Sequence, residues 1–196
     1  MRKRRHNENP TVDQLKAELA RENYRSRYGK TLRSTIYILI VVAAAAVLMA
    51  TLFFPVFRIY GSSMAPTVNE GEVVVALKGA RFKCGDIIVL SFDNKLLVKR
   101  VIASPGEWVD IDTDGNVFVD GKLIDEPYLQ EKAFGDCTLS LPYQVPDGRY
   151  FVMGDNRSTS QDSRSTLMGC IAEEQILGLA FLRIWPLSEF GSINRY

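Results

Sequence analysis

The apolar pattern divides the chain in two. From Ser34 to Phe57 no residue carries a charge. Within that stretch Thr35 to Phe54 predicts an apolar helix roughly 30 Å long, the thickness of a bilayer core, which Pro55 then stops. A secretory signal peptide has a shorter apolar core and no mixed-charge leader of this length, so a retained membrane anchor is expected. Beyond the anchor the pattern becomes short and regular. Val73–Leu77, Ile87–Leu90, Leu96–Ile102, Trp108–Ile111, Val117–Val119, Tyr150–Met153 and Leu179–Trp185 are β-type runs separated by Gly, Asp, Asn and Pro. They predict a mainly β, barrel-like domain preceded by a single transmembrane helix, with helix only in short pieces such as Ala172 to Gln175. Residues 11–28 have a helical composition, but Leu15 and Leu19 make a thin apolar stripe, and a solvated, partly disordered tail is expected there.

Charge sharpens the division. Residues 1–34 hold 10 Lys/Arg against 4 Asp/Glu, a net +6, and the remainder holds 14 against 19, a net −5, within a total of +1. The near-neutral total argues against a nucleic-acid partner, and the anchor makes membrane lipid an expected partner; Lys and Arg of residues 11–28 could rest on anionic headgroups, though the solvated tail is the preferred reading. By the positive-inside rule that tail stays in the cytoplasm and everything after Phe57 lies outside. Three segments are expected: a cytoplasmic tail over 1–34, an anchor over 35–57 and an extracytoplasmic domain over 58–196.

One histidine, His6, is present, and it lies in the basic tail. Ser-His-Asp and Cys-His catalysis are thereby disfavoured, as is His-ligated zinc, and a hydrolase must take its base from Lys, Asp or Glu. No metal or cofactor is expected. Cys84, Cys137 and Cys170 lack C-x-x-C spacing; Cys137 and Cys170 could pair, although three unpaired thiols is the simpler reading. Asp110-Ile-Asp112-Thr-Asp114-Gly115 opens like a calcium loop, but its twelfth position is Gly121, so it reads as a hairpin turn.

Three segments could carry chemistry. In Tyr60-Gly61-Ser62-Ser63-Met64-Ala65-Pro66-Thr67, Gly61 and Pro66 favour a bend able to present a serine and a backbone N–H, though such a segment is also an ordinary turn. In the strand Leu96–Ile102, Lys99 shares a face with Leu97 and Val101 while Arg100 points the opposite way. Burial lowers an amine's pKa and makes Lys99 a candidate base; a snorkelling edge lysine is the alternative. In Met153 to Arg164, Asp155, Arg157, Asp162 and Arg164 could close a loop on itself through ion pairs, and Ser160 could orient a lysine amine.

Taken in order, these segments resemble the bacterial type I signal peptidases, in a short Gram-positive-like form. Ser63-Met64-Ala65-Pro66-Thr67 is similar to that family's S-M-x-P-T box, and Gly85-Asp86-Ile-Ile-Val to its G-D-[IV]-V box. Lys99-Arg100-Val101-Ile102-Ala-Ser-Pro105-Gly106-Glu107 resembles its base box, and Gly154 to Arg164 its G-D-N-R-x-x-S-x-D-S-R box. The resemblance implies an endopeptidase that removes signal peptides from exported preproteins through an acyl-enzyme. It makes Ser63 the nucleophile and an oxyanion donor through its N–H, Lys99 the general base, and Ser160 the residue that positions the amine. Asp155, Arg157, Asp162 and Arg164 become the structural brace, and Met64 and Pro66 shape the turn. At Gly61 the hydroxyl that some members add to the oxyanion hole is missing. Ala103, Ser104 and Glu107 depart conservatively from the base box. Phe57, Ile59 and Val98 are apolar and close in sequence to these residues, which makes them candidates for the substrate-binding wall. At about 3.3 Å per extended residue, Ser63 lies within about 30 Å of the end of the anchor. A self-cleaving Ser/Lys repressor-type protease shares the chemistry but needs a DNA-binding domain where this chain has its anchor. An anchored, non-catalytic β-domain that binds secreted partners is the reading from outside enzymology.

Overall fold

A computed structural model describes residues 11–193. His6 and Arg2 to Arg5 of the basic tail lie outside the described residues. The first element, α1 (Val12–Phe53), is one helix of 42 residues. It corrects the expectation of a partly disordered tail: Leu15 to Glu22 is built almost entirely from strong helix formers. The Gln14 side chain accepts from the Thr11 amide at 2.9 Å, and Asp13 sits in the first turn, where the helix dipole favours it. The uncharged half of α1 is long and apolar enough to cross a membrane.

Where α1 ends, the chain becomes part of a sheet. Phe53 and Pro55 carbonyls accept from the amides of Lys78 and Ala76, each at 3.0 Å. The large sheet contains β1 (Val56–Arg58), β2 (Val73–Leu77), β3 (Ile87–Phe92), β4 (Lys95–Ala103), β9 (Arg149–Met153), β10 (Ile171–Ala172), β11 (Ile176–Trp185) and β12 (Gly191–Ser192). It runs in the order β1-β2-β11-β3-β4-β9-β10, with β12 on β11, and the pairings are antiparallel. A smaller sheet runs β7 (Lys122–Leu123), β6 (Val117–Val119), β5 (Trp108–Ile111) and β8 (Tyr143–Gln144). The mainly β reading holds, and all seven expected runs are strands. Those missed are short, two or three residues each, too brief for alternation to reveal them.

Both faces of the large sheet are buried near β3, which explains why Ile87-Ile-Val-Leu90 does not alternate with polar residues. Ile87 and Val89 join Ile59, Met64, Val68 and Val74 on one face. Ile88 and Leu90 join Val101, Val152 and Ile171 on the other. A third cluster ties the small sheet to the large one, with Val109, Ile111 and Val117 against Ile102, Phe151 and Met153. The Asp110–Gly115 segment is a hairpin turn. The Asp112 carboxylate accepts from the amides of Asp114 (3.0 Å) and Asn116 (2.8 Å) and from the Asn116 side chain (2.8 Å). The three cysteines are free thiols.

Phe151 is fully buried where the two sheets meet. Phe151→Ala should cost about 3–5 kcal/mol in denaturant unfolding of the detergent-solubilised protein. Leu123→Ala, at an exposed position of the small sheet, should change stability by no more than about 0.5 kcal/mol.

Candidate active site

Lys99 lies in the middle of β4, opposite Ile88 of β3, and is 2% exposed. The period of the strand puts it on the face of Leu97 and Val101, where β-sheet packing excludes water. Burial pushes its amine down from 10.5 to about 8; Asp162 and Asp155 oppose that shift and Arg164 reinforces it. Its Nζ donates to Ser160 Oγ at 2.8 Å. Ser160 hydrogen-bonds in turn to Asp162. Burial alone would raise the Asp162 carboxyl, but hydrogen bonds from Arg164, the Gly154 amide and Ser160 hold it below the usual carboxylate range. The serine is therefore fixed between an anion and the amine, which gives the lysine one orientation.

The segment carrying Ser63 is held from both ends. Gly61 adopts φ +82°, a value that explains glycine at this bend. Downstream, Met64 and Val68 are buried in the core and joined by a backbone bond of 3.0 Å. The Ser63 carbonyl accepts from the Asn156 amide at 3.1 Å, docking the serine onto the loop that supplies Ser160. Gly154 lies in the same crossing. A Cβ there would fall well inside van der Waals contact with Ser160 Oγ and the Ser63 carbonyl, so only glycine lets the two segments approach. Ser63 and Lys99 line one cavity of about 280 Å³ together with Gly61, Ser62, Leu97, Thr159 and Gln161. A larger cavity, about 350 Å³ between Thr67, Tyr128 and Arg183, contains neither of them, so size does not mark the site.

Phe57, Ile59 and Val98 also come together. With Ser63, Val89 and Leu96 they line a tight cavity of about 20 Å³, room for little more than one water-sized group. Both of its flanks are strand edges. β9 pairs with β4 from Arg100 to Ala103, and β1 pairs with β2 alone. Among the described residues the second edge of Lys95–Lys99 and the outer edge of β1 therefore take no strand partner.

The loop from Asp155 to Arg164 does not close through its own ion pairs alone, as the spacing of its charges suggested. Asp162 and Arg164 do pair, at 2.8 Å, and Arg164 also donates to the Phe134 and Arg157 carbonyls, at 2.9 Å each. Asp155 instead receives two bonds from Arg100, at 2.8 and 2.6 Å, and one from the Thr67 hydroxyl. Arg157 pairs with Glu126. Each of these charges is buried, and Arg100 is further covered by the Tyr128 ring, 3.7 Å from its guanidinium carbon to the centroid. Sequence reasoning missed Thr67, Arg100, Glu126 and Tyr128 as parts of the brace. Strand alternation put Arg100 on the face opposite Lys99 without marking it as buried, and nothing local tells Glu126 that its partner lies 31 positions away.

A buried cation left without its anion is costly, and the opposite holds for the pair replaced by apolar groups. Glu126→Leu alone should destabilise by about 3–5 kcal/mol, and Glu126→Leu with Arg157→Met should recover most of the loss in denaturant unfolding.

The family model described as signal peptidase, peptidase S26, matches residues 32–185. Signal peptidase I of Bacillus licheniformis is 38% identical over 168 residues, covering 78% of this chain and 87% of the relative. Signal peptidase I S of Bacillus subtilis is 34% identical over 168 residues, covering 80% and 90%. Signal peptidase IB of Staphylococcus aureus is 38% identical over 154 residues, covering 68% and 79%.

Proposed function

The chain belongs to the signal peptidase family, peptidase S26, as a type I signal peptidase that removes signal peptides from exported proteins, and from that premise we propose that Ser63 is its nucleophile and Lys99 its general base. The observation that carries this reading is the buried Lys99 amine, oriented by Ser160 and lining the same cavity as Ser63.

The reaction runs as two proton-coupled steps. Neutral Lys99 takes the Ser63 hydroxyl proton as Oγ attacks the scissile carbonyl; the ammonium then gives that proton to the departing amine, leaving an acyl-serine. Water loses a proton to the same Nζ and attacks the ester, and the proton returns to Ser63 Oγ as the signal peptide leaves. The Ser63 amide donates no hydrogen bond among the described residues and is available to the oxyanion. The substrate enters extended between the free edge of Lys95–Lys99 and the β1 side, bonding through its backbone. Phe57, Ile59 and Val98 wall a cavity so small that it accepts only small side chains before the cut.

We further place residues 1–34 in the cytoplasm, 35–57 in the membrane and 58–196 outside it, on the basic tail and the uncharged run. Membrane lipid and the exported preprotein are then the two partners. The measured signature of this topology is protection of the tail, and cleavage of residues beyond 58, when protease is added outside intact cells.

Ser63→Ala and Lys99→Met should each abolish preprotein cleavage. Wild-type kcat/KM should rise about tenfold per pH unit below pH 8 and level off above it, as the amine loses its proton. Stability should move in a related way. The amine titrates near 8 when folded and at 10.5 when exposed, so its burial penalty is fully present below pH 8 and disappears as pH rises to 10.5. Lys99→Met should therefore be more stable than wild type by about 2 kcal/mol at pH 7, after allowing for the lost Ser160 bond, with the gain gone by pH 10.5. A variant that is inactive and less stable at pH 7 would remove burial as the source of the base.

A further inference from the structure

The proposed reaction gives the developing oxyanion one donor, the Ser63 amide. Losing a single donor from such a site costs on the order of 10²- to 10³-fold in kcat, so a lone amide would leave the charge poorly held. Gly61, two residues earlier, has no side chain to add a second donor. The residue between them, Ser62, carries a hydroxyl for which the reaction so far has no use.

Resting on the assignment of Ser63 and Lys99, we propose that the Ser62 hydroxyl is the second oxyanion donor and acts beside the Ser63 amide on the carbonyl oxygen of the scissile bond. Three observations carry the inference. Ser62 is exposed and lines the cavity of about 280 Å³ that holds both Ser63 and Lys99. Its hydroxyl is uncommitted: among the described residues it makes no hydrogen bond, and the amides of Gly61, Ser62 and Ser63 donate none either. The nearby hydroxyls of Thr67, Ser160 and Ser163 are by contrast all engaged inside the protein. The peptide group joining Ser62 to Ser63 is also held in place. Its carbonyl accepts from the Ala65 amide at 3.1 Å, which turns it back into the bend, and in a trans peptide the Ser63 N–H points the opposite way. The Ser62 side chain springs from the same peptide group, and χ1 is the one rotation that aims its Oγ.

The chemistry suits a neutral hydroxyl. Successive free N–H groups beside a residue of positive φ, here Gly61 at +82°, make a setting for negative charge, and an O–H at its rim extends that setting. The hydroxyl keeps its proton throughout, so Lys99 alone carries the proton from Ser63 to the departing amine. A hydrogen bond to an anionic oxygen is about twice as strong as one to a neutral carbonyl. The contribution of Ser62 therefore grows as the oxyanion forms, and its loss should appear in kcat and spare KM.

The test uses the full chain in detergent. Ser62→Ala should lower kcat about 10- to 100-fold while KM stays within about twofold, and Ser62→Thr, which keeps the hydroxyl, should retain roughly a third or more of wild-type kcat. A peptide boronate with Ala at the first and third positions before the cut forms a tetrahedral adduct on Ser63 Oγ. Its Ki does not depend on how much of the enzyme is folded, and in Ser62→Ala it should rise by the factor by which kcat/KM falls. Adding Ser62→Ala to Ser63→Ala should leave the affinity for intact preprotein unchanged, and in Ser62→Ala alone the pH at which kcat/KM levels off should match wild type. Wild-type kcat in Ser62→Ala would overturn the proposal, as would an unmoved boronate Ki or a loss that Ser62→Thr does not restore. A displaced pH profile would also overturn it, by assigning Ser62 to the amine and not to the oxyanion. Cleavage retained by Ser63→Ala would instead sink the nucleophile assignment, a separate failure.

Discussion

The site depends on keeping one primary amine dry. A lysine in the centre of a sheet face loses the water that stabilises its charge, and its pKa falls to a range where the free base is populated near neutrality. In the proposed mechanism that single consequence of burial substitutes for the histidine that residues 58–196 lack. It also sets the demands on everything around it. The amine needs a partner that does not restore its charge, and Ser160 is such a partner: a neutral hydroxyl, itself held by the Asp162 carboxylate. Placing that carboxylate directly against Nζ would have raised the amine again.

The ion pairs make sense as the support for this arrangement. Burying Arg100, Arg157 and Arg164 with Asp155, Glu126 and Asp162 adds little net stability compared with an apolar core. What the pairs fix is position. Arg100 is the residue after Lys99, and through Asp155 it binds the Thr67 hydroxyl four residues past Ser63. The next amide, that of Asn156, holds the Ser63 carbonyl. Lys99 and Ser63 are therefore tied to the same loop by bonds whose geometry is narrow, and Gly154 supplies the close approach that the loop needs.

Much of this is readable in the sequence alone. Long runs such as Leu96–Ile102 declare themselves by alternation, and that alternation alone put Lys99 and Arg100 on opposite faces of a strand. The helix over residues 11–28 was harder, because two leucines gave a weak periodic signal while the backbone propensity of the segment favoured helix. Strands of two residues carry no period at all. Contacts across long separations were invisible for a different reason: Glu126 and Tyr128 sit in a Pro-containing connection whose residues gain meaning only when the small sheet folds against Arg100 and Arg157. The spacing of charges within Asp155–Arg164 pointed to internal pairing because sequence shows neighbours and hides distant partners.

The proposed chemistry depends on the protonation state of Lys99, which can be observed without any substrate. With the lysine side chains labelled at ¹³Cε, titration of the full-length Ser63→Ala protein should reveal one resonance with a midpoint near pH 8, absent in Ser63→Ala with Lys99→Met. If every lysine titrates near 10.5 and the Lys99 signal is among them, the amine is charged at neutral pH, and it cannot be the base.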